Sequence, residues 1–415
     1  MTESRRPYRP FEVVGLELEY PVVDADLVPQ CLVEPAFRHY RGHPTSDIES
    51  ANVGFSNELA AHVFEIKTIR PQRYLDRAER QLVNGLERFA RLLDSVFGAR
   101  LLPTGMHPFM RPEETRLWQR AGRRIYHTYD RVFGIGGHGW LNVQASHVNL
   151  PFGTEEETMR LHTAIACLLP YLPALSASSP IYEGSIGPYV DNRLAFYRDN
   201  QRRIPLITGS VVPEIVGSFR EYRSRILKPI YRALDDVPGG NVLQHEWVNS
   251  RGAIVRFMRR AIEIRVLDVQ ECVRSDVAIA LFVRESLRWM VDCLRDGTLT
   301  PPAHGVLVQD FTAVIRNGSL AAIAAPHLRL RSRRPQTARA VLQHLFEQIV
   351  ERVPERDRVY LPTLSDRVTF GNLSERIAAR VRLRAPRRGA RQRAVIREIY
   401  EELAACLRTN TPWHG

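Results

Sequence analysis

Four short segments carry a charged or hydrogen-bonding side chain at every second position between apolar neighbours. Gly15-Leu-Glu-Leu-Glu-Tyr20 holds Glu17 and Glu19, and Val63-Phe-Glu-Ile-Lys67 holds Glu65. Ser146-His-Val-Asn-Leu150 holds His147 and Asn149, and Ala261-Ile-Glu-Ile-Arg265 holds Glu263 and Arg265. Successive side chains of a strand point to opposite faces, so each segment predicts a strand with its polar groups on one face and its apolar groups on the other. One reading is an antiparallel sheet with a wet face, on which Glu and Arg pair across strands. A face of that kind is expected to use Thr, Lys, Gln and Ser instead of gathering Glu at strand centres. Carboxylates crowded on one concave face repel unless cations neutralise them. Hard divalent ions such as Mg²⁺ or Mn²⁺ take oxygen ligands from a few carboxylates and from substrate phosphates. The pattern therefore marks a candidate metal–phosphate site.

Composition removes other chemistries. The 415 residues are 44% hydrophobic and 25% charged, a globular balance. Lys plus Arg number 58 against 46 acidic residues, for a net charge of +12, yet the only lysines are Lys67 and Lys228. Neither follows a glycine-rich turn, which excludes a Walker-type phosphate loop, and neither is expected to serve the chemistry. Five scattered cysteines, with no Cys-x-x-Cys pair, suggest neither a zinc ribbon nor a disulfide framework. Met1–Pro10 lacks the apolar stretch of a signal peptide. The uncharged stretch Thr163–Tyr182 is broken by Pro170, Pro173 and Pro180 and reads as a buried helix followed by a loop. The expected location is the cytoplasm, with no membrane partner.

Three apparent motifs fail their context. Gly134-Ile-Gly-Gly-His-Gly139 fits a dinucleotide fingerprint but precedes a strand instead of opening a helix. His39 and His43 flank Gly42 and precede Pro44, which predicts a surface loop. Ser176–Ser179 lacks the Gly-x-Ser-x-Gly elbow of a hydrolase nucleophile.

Elsewhere the period changes to that of helices. Leu75, Ala78, Leu82, Leu86, Phe89, Leu93 and Val96 recur at three and four residues before Gly98. Thr154 with Glu157 forms a capping box for a helix through Leu169, and another helix is expected from Asp276 to Asp296. Strands are expected at Phe11–Val23, within Asn52–Ile69, at Leu101–Leu102, at Trp140–Leu150 and at Ala261–Val269. The division expected is a main domain over 1–327 and a helical region over 328–415 packed on it. In the latter, RLRSRRPQTARA and RVRLRAPRRGARQRA are arginine-dense. They read as a solvated, ion-paired surface or as a dock for an anionic partner; the sparse aromatics argue against nucleic acid.

In chain order, the segments resemble those of the type 2 glutamate–cysteine ligase, or carboxylate–amine ligase, family. Gly15–Tyr20 resembles its Gly-x-Glu-x-Glu strand, and Asn57-Glu58-Leu59 through Phe64-Glu65-Ile66 its second acidic region. Thr104-Gly-Met-His-Pro-Phe109 is similar to its Gly-Thr-His-Pro segment. Gln144–Leu150 resembles its His-Val-His strand, with Asn149 in place of the second His. Leu175–Gly184, Asp191-Asn-Arg193 and Ile262–Asp268 complete the series, which covers roughly residues 11–300.

The resemblance implies an α+β, glutamine-synthetase-like fold in which an antiparallel sheet forms a funnel covered by helices. It implies two or three Mg²⁺ ions held by Glu17, Glu19, Glu58, Glu65, His147 and Glu263, bridging ATP phosphates. Arg265 and Arg193 would stabilise the transferring phosphoryl group, and His107 and Asn149 would join them in binding nucleotide or substrate. The implied partners are a small-molecule carboxylate and an amine, or a peptide, and the implied assembly is a homodimer. A pathway-specific ligase, a phosphotransferase of related fold and a basic, non-catalytic binding protein are the other readings. Glu58 and Glu65 lie seven apart, so unless a bulge or turn intervenes they face opposite ways on one flat strand.

Overall fold

A computed structural model describes residues 7–328, 330 and 336–415, so much of the first arginine-dense run lies outside the described residues. The strands of the main sheet are β1 (Gly15–Val23), β2 (Asp47–Ser50), β3 (Val53–Asn57), β4 (Val63–Thr68), β5 (Arg100–Leu101), β6 (Ala145–Pro151), β7 (Ala253–Arg256) and β8 (Ala261–Asp268). They form one antiparallel sheet in the order β2-β3-β4-β1-β6-β8-β7, with β5 beside the end of β1.

Register explains why the sheet has two unlike faces. Leu18 lies opposite Ile66, Leu16 opposite Val148, and Ile262 opposite Leu150. These apolar side chains are essentially solvent-free and form one core with helices packed over that face. These include α1 (Val33–Arg41), α2 (Leu75–Phe97), α4 (Glu155–Leu168) and α6 (Val273–Arg295), whereas α3 (Arg123–Phe133) and α5 (Asn192–Asp199) bring side chains to the polar side of the sheet. Burying a Leu or Ile contributes about 1.5–3 kcal/mol, so shifting any central strand by one residue would be prohibitive. The helix ends follow their local chemistry. Gly98, at φ +62°, closes α2, and the reciprocal Thr154–Glu157 bonds open α4.

Three expectations change. The segment Asn52–Ile69 is a hairpin: after β3 the chain turns at Glu58–His62, where Glu58 N–H bonds to the Val63 carbonyl (3.3 Å) and Val63 N–H to that of Ala60 (3.0 Å). The strand expected from Trp140 begins only at Ala145. Before it, Asn142 bonds in both directions to the backbone of His107 (2.6 and 3.1 Å), leaving Trp140 on a short helical turn. His39 belongs to helix α1 and not to a loop, because Gly42, at φ +77°, caps that helix instead of preventing it.

Further helices follow: α7 (His304–Asn317), α8 (Ala338–Ile349), α9 (Leu361–Phe370), α10 (Leu373–Arg384) and α11 (Ala390–Thr409). Leu342 and Leu345 of α8 and Leu364 of α9 enter the sheet's own core. Helices α10 and α11 build a second cluster around Tyr400 and Leu403, shared with Val23, Leu27, Leu102 and Ile181. Among the described residues, no helix is long and apolar enough to cross a membrane.

Candidate active site

The polar face of the sheet gathers residues from five strands. Glu17 lies opposite Lys67 on β4 and His147 on β6, Glu19 opposite Glu65, and Glu65 opposite Ser56. Because the chain reverses after β3, Glu58 returns to this face. Two groups of side chains converge closely enough to hold a cation, with ligand atoms within 4.8 Å of one another: Glu17, Glu65 and His147, and Glu19, Glu58 and Glu65. Glu65 belongs to both.

The hydrogen bonds orient these groups without satisfying their charge. His147 Nδ1 lies 3.3 Å from Glu17 Oε2, and its Nε2 lies 4.0 Å from Glu19 Oε1. Lys67 Nζ donates to Glu65 Oε1 (2.7 Å) and to Ser56 Oγ (2.8 Å). Asn149 Nδ2 donates to Glu17 Oε1 (3.2 Å), and Ala145 N–H donates to Glu19 Oε2 (2.7 Å). Burial opposes ionisation of Glu17, but the bond to His147 and the charges of His147 and Lys67 hold its pKa well below the usual range. Glu65 goes the other way. Burial and the charge of Glu17 raise its pKa to about 7, and Lys67 and Ser56 only partly offset this. Glu58 is raised well above normal by burial, Glu19 and Glu65. Four carboxylates thus share too few cations for all to ionise, the condition that a bound divalent ion relieves.

Glu263 stands apart. Its oxygens take Arg256 Nη1 (2.5 Å) and Arg265 Nε (3.1 Å), and it belongs to neither convergent group. A register shift between Ile264 and Leu267 bends β8 beside Arg265, whose N–H bonds to the Gly252 carbonyl (2.8 Å). Two other candidates are structural in their contacts. His107 is fully buried; its Nδ1 accepts from the Phe109 and Met110 N–H groups (3.1 and 2.9 Å), and burial lowers its pKa to about 4. Arg193, on α5 and only 2% exposed, pairs through Nε with Asp268 and through Nη2 with the Arg265 carbonyl (3.3 Å). Asp268 also accepts from Ser178 N–H (2.8 Å), while Gly105 packs against its carboxylate, leaving no room for a Cβ. Three segments distant in sequence are thus locked behind Arg265.

Two chambers meet at the carboxylates. One, of about 560 Å³, is lined by Gly15, Gly54, Glu17, Lys67, Asn149, Arg259 and Arg260 among others. The other, of about 380 Å³, is lined by Glu19, Glu58, Arg265 and five aromatic rings. Sequence reasoning set Lys67 aside because it lacks a glycine-rich loop; its signal was its place two residues after Glu65, on the same face of the strand. Arg256 and the aromatic lining were missed as well. The rings come from helix α3, α5 and short turns with no shared period.

The chain matches the family model described as glutamate–cysteine ligase family 2 over residues 13–402, past the point where the motif resemblance ends. An uncharacterized protein of Archaeoglobus fulgidus is 36% identical over 398 residues, 96% of this chain and 99% of that one. Among solved structures, glutamate–cysteine ligase of Francisella tularensis, in complex with AMP, aligns at TM-score 0.63 and 13% identity, covering 97% of this chain and 90% of that one. A bifunctional glutathione synthetase from Pasteurella multocida aligns at TM-score 0.57 and 15% identity, covering 95% of this chain and 52% of that one. Those two likenesses concern the fold, and the family match concerns descent: the chain belongs to glutamate–cysteine ligase family 2, the carboxylate–amine ligases.

Proposed function

We propose that the chain forms an amide from a carboxylate and an amine at the expense of ATP, through an acyl phosphate. The observation that carries this reading is the pair of three-ligand groups, joined at Glu65, with one chamber lined by Glu17 and another by Glu19 and Glu58. The donor set suits Mg²⁺ or Mn²⁺: carboxylate oxygens dominate, one imidazole joins them, and burial together with the neighbouring acids raises the pKa of Glu58 and of Glu65, a crowding that a cation would relieve. Glu17, Glu65 and His147 would hold one ion, and Glu19, Glu58 and Glu65 another. When bound, such ions neutralise phosphate charge and polarise the transferring phosphoryl group.

The remaining work falls to the protein. Lys67, Arg259 and Arg260 line the larger chamber together with Glu17, Asp47 and Glu49, so a triphosphate there would rely on the proposed ions as well as on these cations, over a floor that Gly15 and Gly54 keep low. Arg265, braced by Glu263, faces the smaller chamber, where a guanidinium can hold carboxylate or phosphoryl oxygens. A carboxylate oxygen attacks the γ-phosphorus as ADP leaves. The amine nitrogen then attacks the acyl carbon, inorganic phosphate departs and the nitrogen loses a proton. Neither step needs a protein nucleophile.

The test is Mg²⁺-dependent ADP release with acids and amines offered singly and in pairs, and with products weighed by mass spectrometry. Release that needs both, with a product of the summed mass less water, supports the ligase. A phosphorylated acid or amine that accumulates without an amide would instead make the chain a phosphotransferase. ATP binding without turnover on any pair would fit a binding protein.

A further inference from the structure

The geometry points to a ring-bearing carboxylate as the occupant of the smaller chamber: an acid of the arylalkyl or aromatic amino-acid type, not a dicarboxylic one. Tyr126, Tyr129, Trp140, Tyr197 and Trp247 line it, and Arg265 is the only cation lining it among the described residues. Three of the rings form a connected wall, with Tyr129 5.4 Å from Trp140 and 6.4 Å from Trp247 between centroids. Two of them are braced from behind. Phe133 stacks on Trp140 at 5.9 Å and His245 on Trp247 at 5.5 Å. Tyr197 is fixed by its hydroxyl, which donates to the Ser250 carbonyl (2.9 Å). A wall held this way loses little entropy when a flat group slides against it.

Charge argues in the same direction. Glu19 and Glu58 are the acids that line the chamber with Arg265. An acid bound here has one place for a carboxylate, at Arg265 and the proposed cations. The second carboxylate of a dicarboxylic acid would face either the electron-rich faces of the rings or an arginine already shared with Glu263. A ring on the same acid would gain stacking on Trp140 or Trp247 instead. The volume, about 380 Å³, leaves room for a ring and a short acidic arm.

This inference rests on the ligase reading only for naming the bound carboxylate as the reacting group, and two measurements on the full chain separate them. Calorimetry with Mg²⁺ and a non-hydrolysable ATP analogue is expected to rank 3-phenylpropanoate and L-phenylalanine about tenfold tighter than L-glutamate. Trp140→Ala and Trp247→Ala should each weaken the ring-bearing acids by about the same factor and so narrow that gap. L-glutamate or a simple diamine binding the wild type at least as tightly, or no binding of the ring-bearing acids, overturns the inference whether or not the variants fold. In parallel, hydroxylamine replaces the amine and hydroxamate is measured. Hydroxamate from L-glutamate alone overturns the inference and leaves the ligase standing. Tight binding of ring-bearing acids with no hydroxamate from any acid supports the inference about the chamber and removes the ligase.

Discussion

Glu65 and Glu271 are both buried carboxylates, yet their ionisation is pushed in opposite directions. Glu271 is solvent-free beside Arg367, whose Nη2 lies 2.6 Å from Glu271 Oε2, and Ser275 Oγ donates to it at 2.8 Å. Burial works against its charge, but Arg367 and Ser275 more than compensate, so its pKa falls. Glu65 has Lys67 at 2.7 Å, but Glu17 crowds the same face, and its pKa rises to about 7. Position explains the contrast. Glu271 ties the sheet's helical cover to α9 and has a resident guanidinium. Glu65 sits where four acids share one lysine, one histidine and the reach of Arg259. An acid paired within the fold stabilises it, whereas the surplus of acids around Glu65 is a crowding that the proposed cations would relieve.

Substituting each acid separates the two roles. Glu65→Gln removes a ligand common to both convergent groups, and turnover is expected to fall on the order of a thousandfold. Its melting temperature without metal should hold or rise, since a neutral isostere replaces a crowded acid. Steady-state ADP release and a thermal melt check both; wild-type turnover would break the contrast.

Glu271→Gln should do the reverse. Leaving Arg367 buried and unpaired costs about 3–5 kcal/mol, read as a lower urea midpoint, while turnover per folded molecule stays near that of the wild type. A variant as stable as the wild type would show that the pair contributes nothing.

The smallest effect is a pH dependence. In metal-free protein, Glu65 titrates near 7 when folded and near the ordinary 4.5 when unfolded. The stability it contributes is therefore fully present below about pH 4.5 and is lost as pH rises through 7. A divalent ion must displace that proton, so apparent Mg²⁺ affinity should rise with pH through 7 and then level. Saturating Mg²⁺ at a hundredfold over its dissociation constant adds about 2.7 kcal/mol. Thermal melts across pH, with and without Mg²⁺, check this; an Mg²⁺ shift that is the same at pH 6 and pH 8 would contradict it.

Much of this was legible in the chain, and where it was not the reason is physical. Alternation alone put Glu17 with Glu19, His147 with Asn149 and Glu263 with Arg265 on shared faces, and the apolar alternates are the core. Alternation does not reveal reversals, so the hairpin that brings Glu58 beside Glu65 had to be seen. It also does not reveal competition for partners. Glu263 looks like Glu17 in sequence, yet two guanidiniums claim it. Arg193 and His107 were found as positions within motifs, but their burial and their bonds to Asp268 and to local backbone are tertiary facts. The aromatic chamber is assembled from loops and helix ends far apart in sequence, and no local pattern announces it.

The most direct measurement is the number of Mn²⁺ ions bound per chain, read by electron paramagnetic resonance at pH 8 with a non-hydrolysable ATP analogue. The expected result is two ions for the wild type, one for each convergent group, with binding greatly weakened in Glu65→Gln and retained in folded Glu271→Gln. Absence of Mn²⁺ binding by the wild type, or undiminished binding by Glu65→Gln, would contradict the assignment of the sheet's acidic face to metal and phosphate.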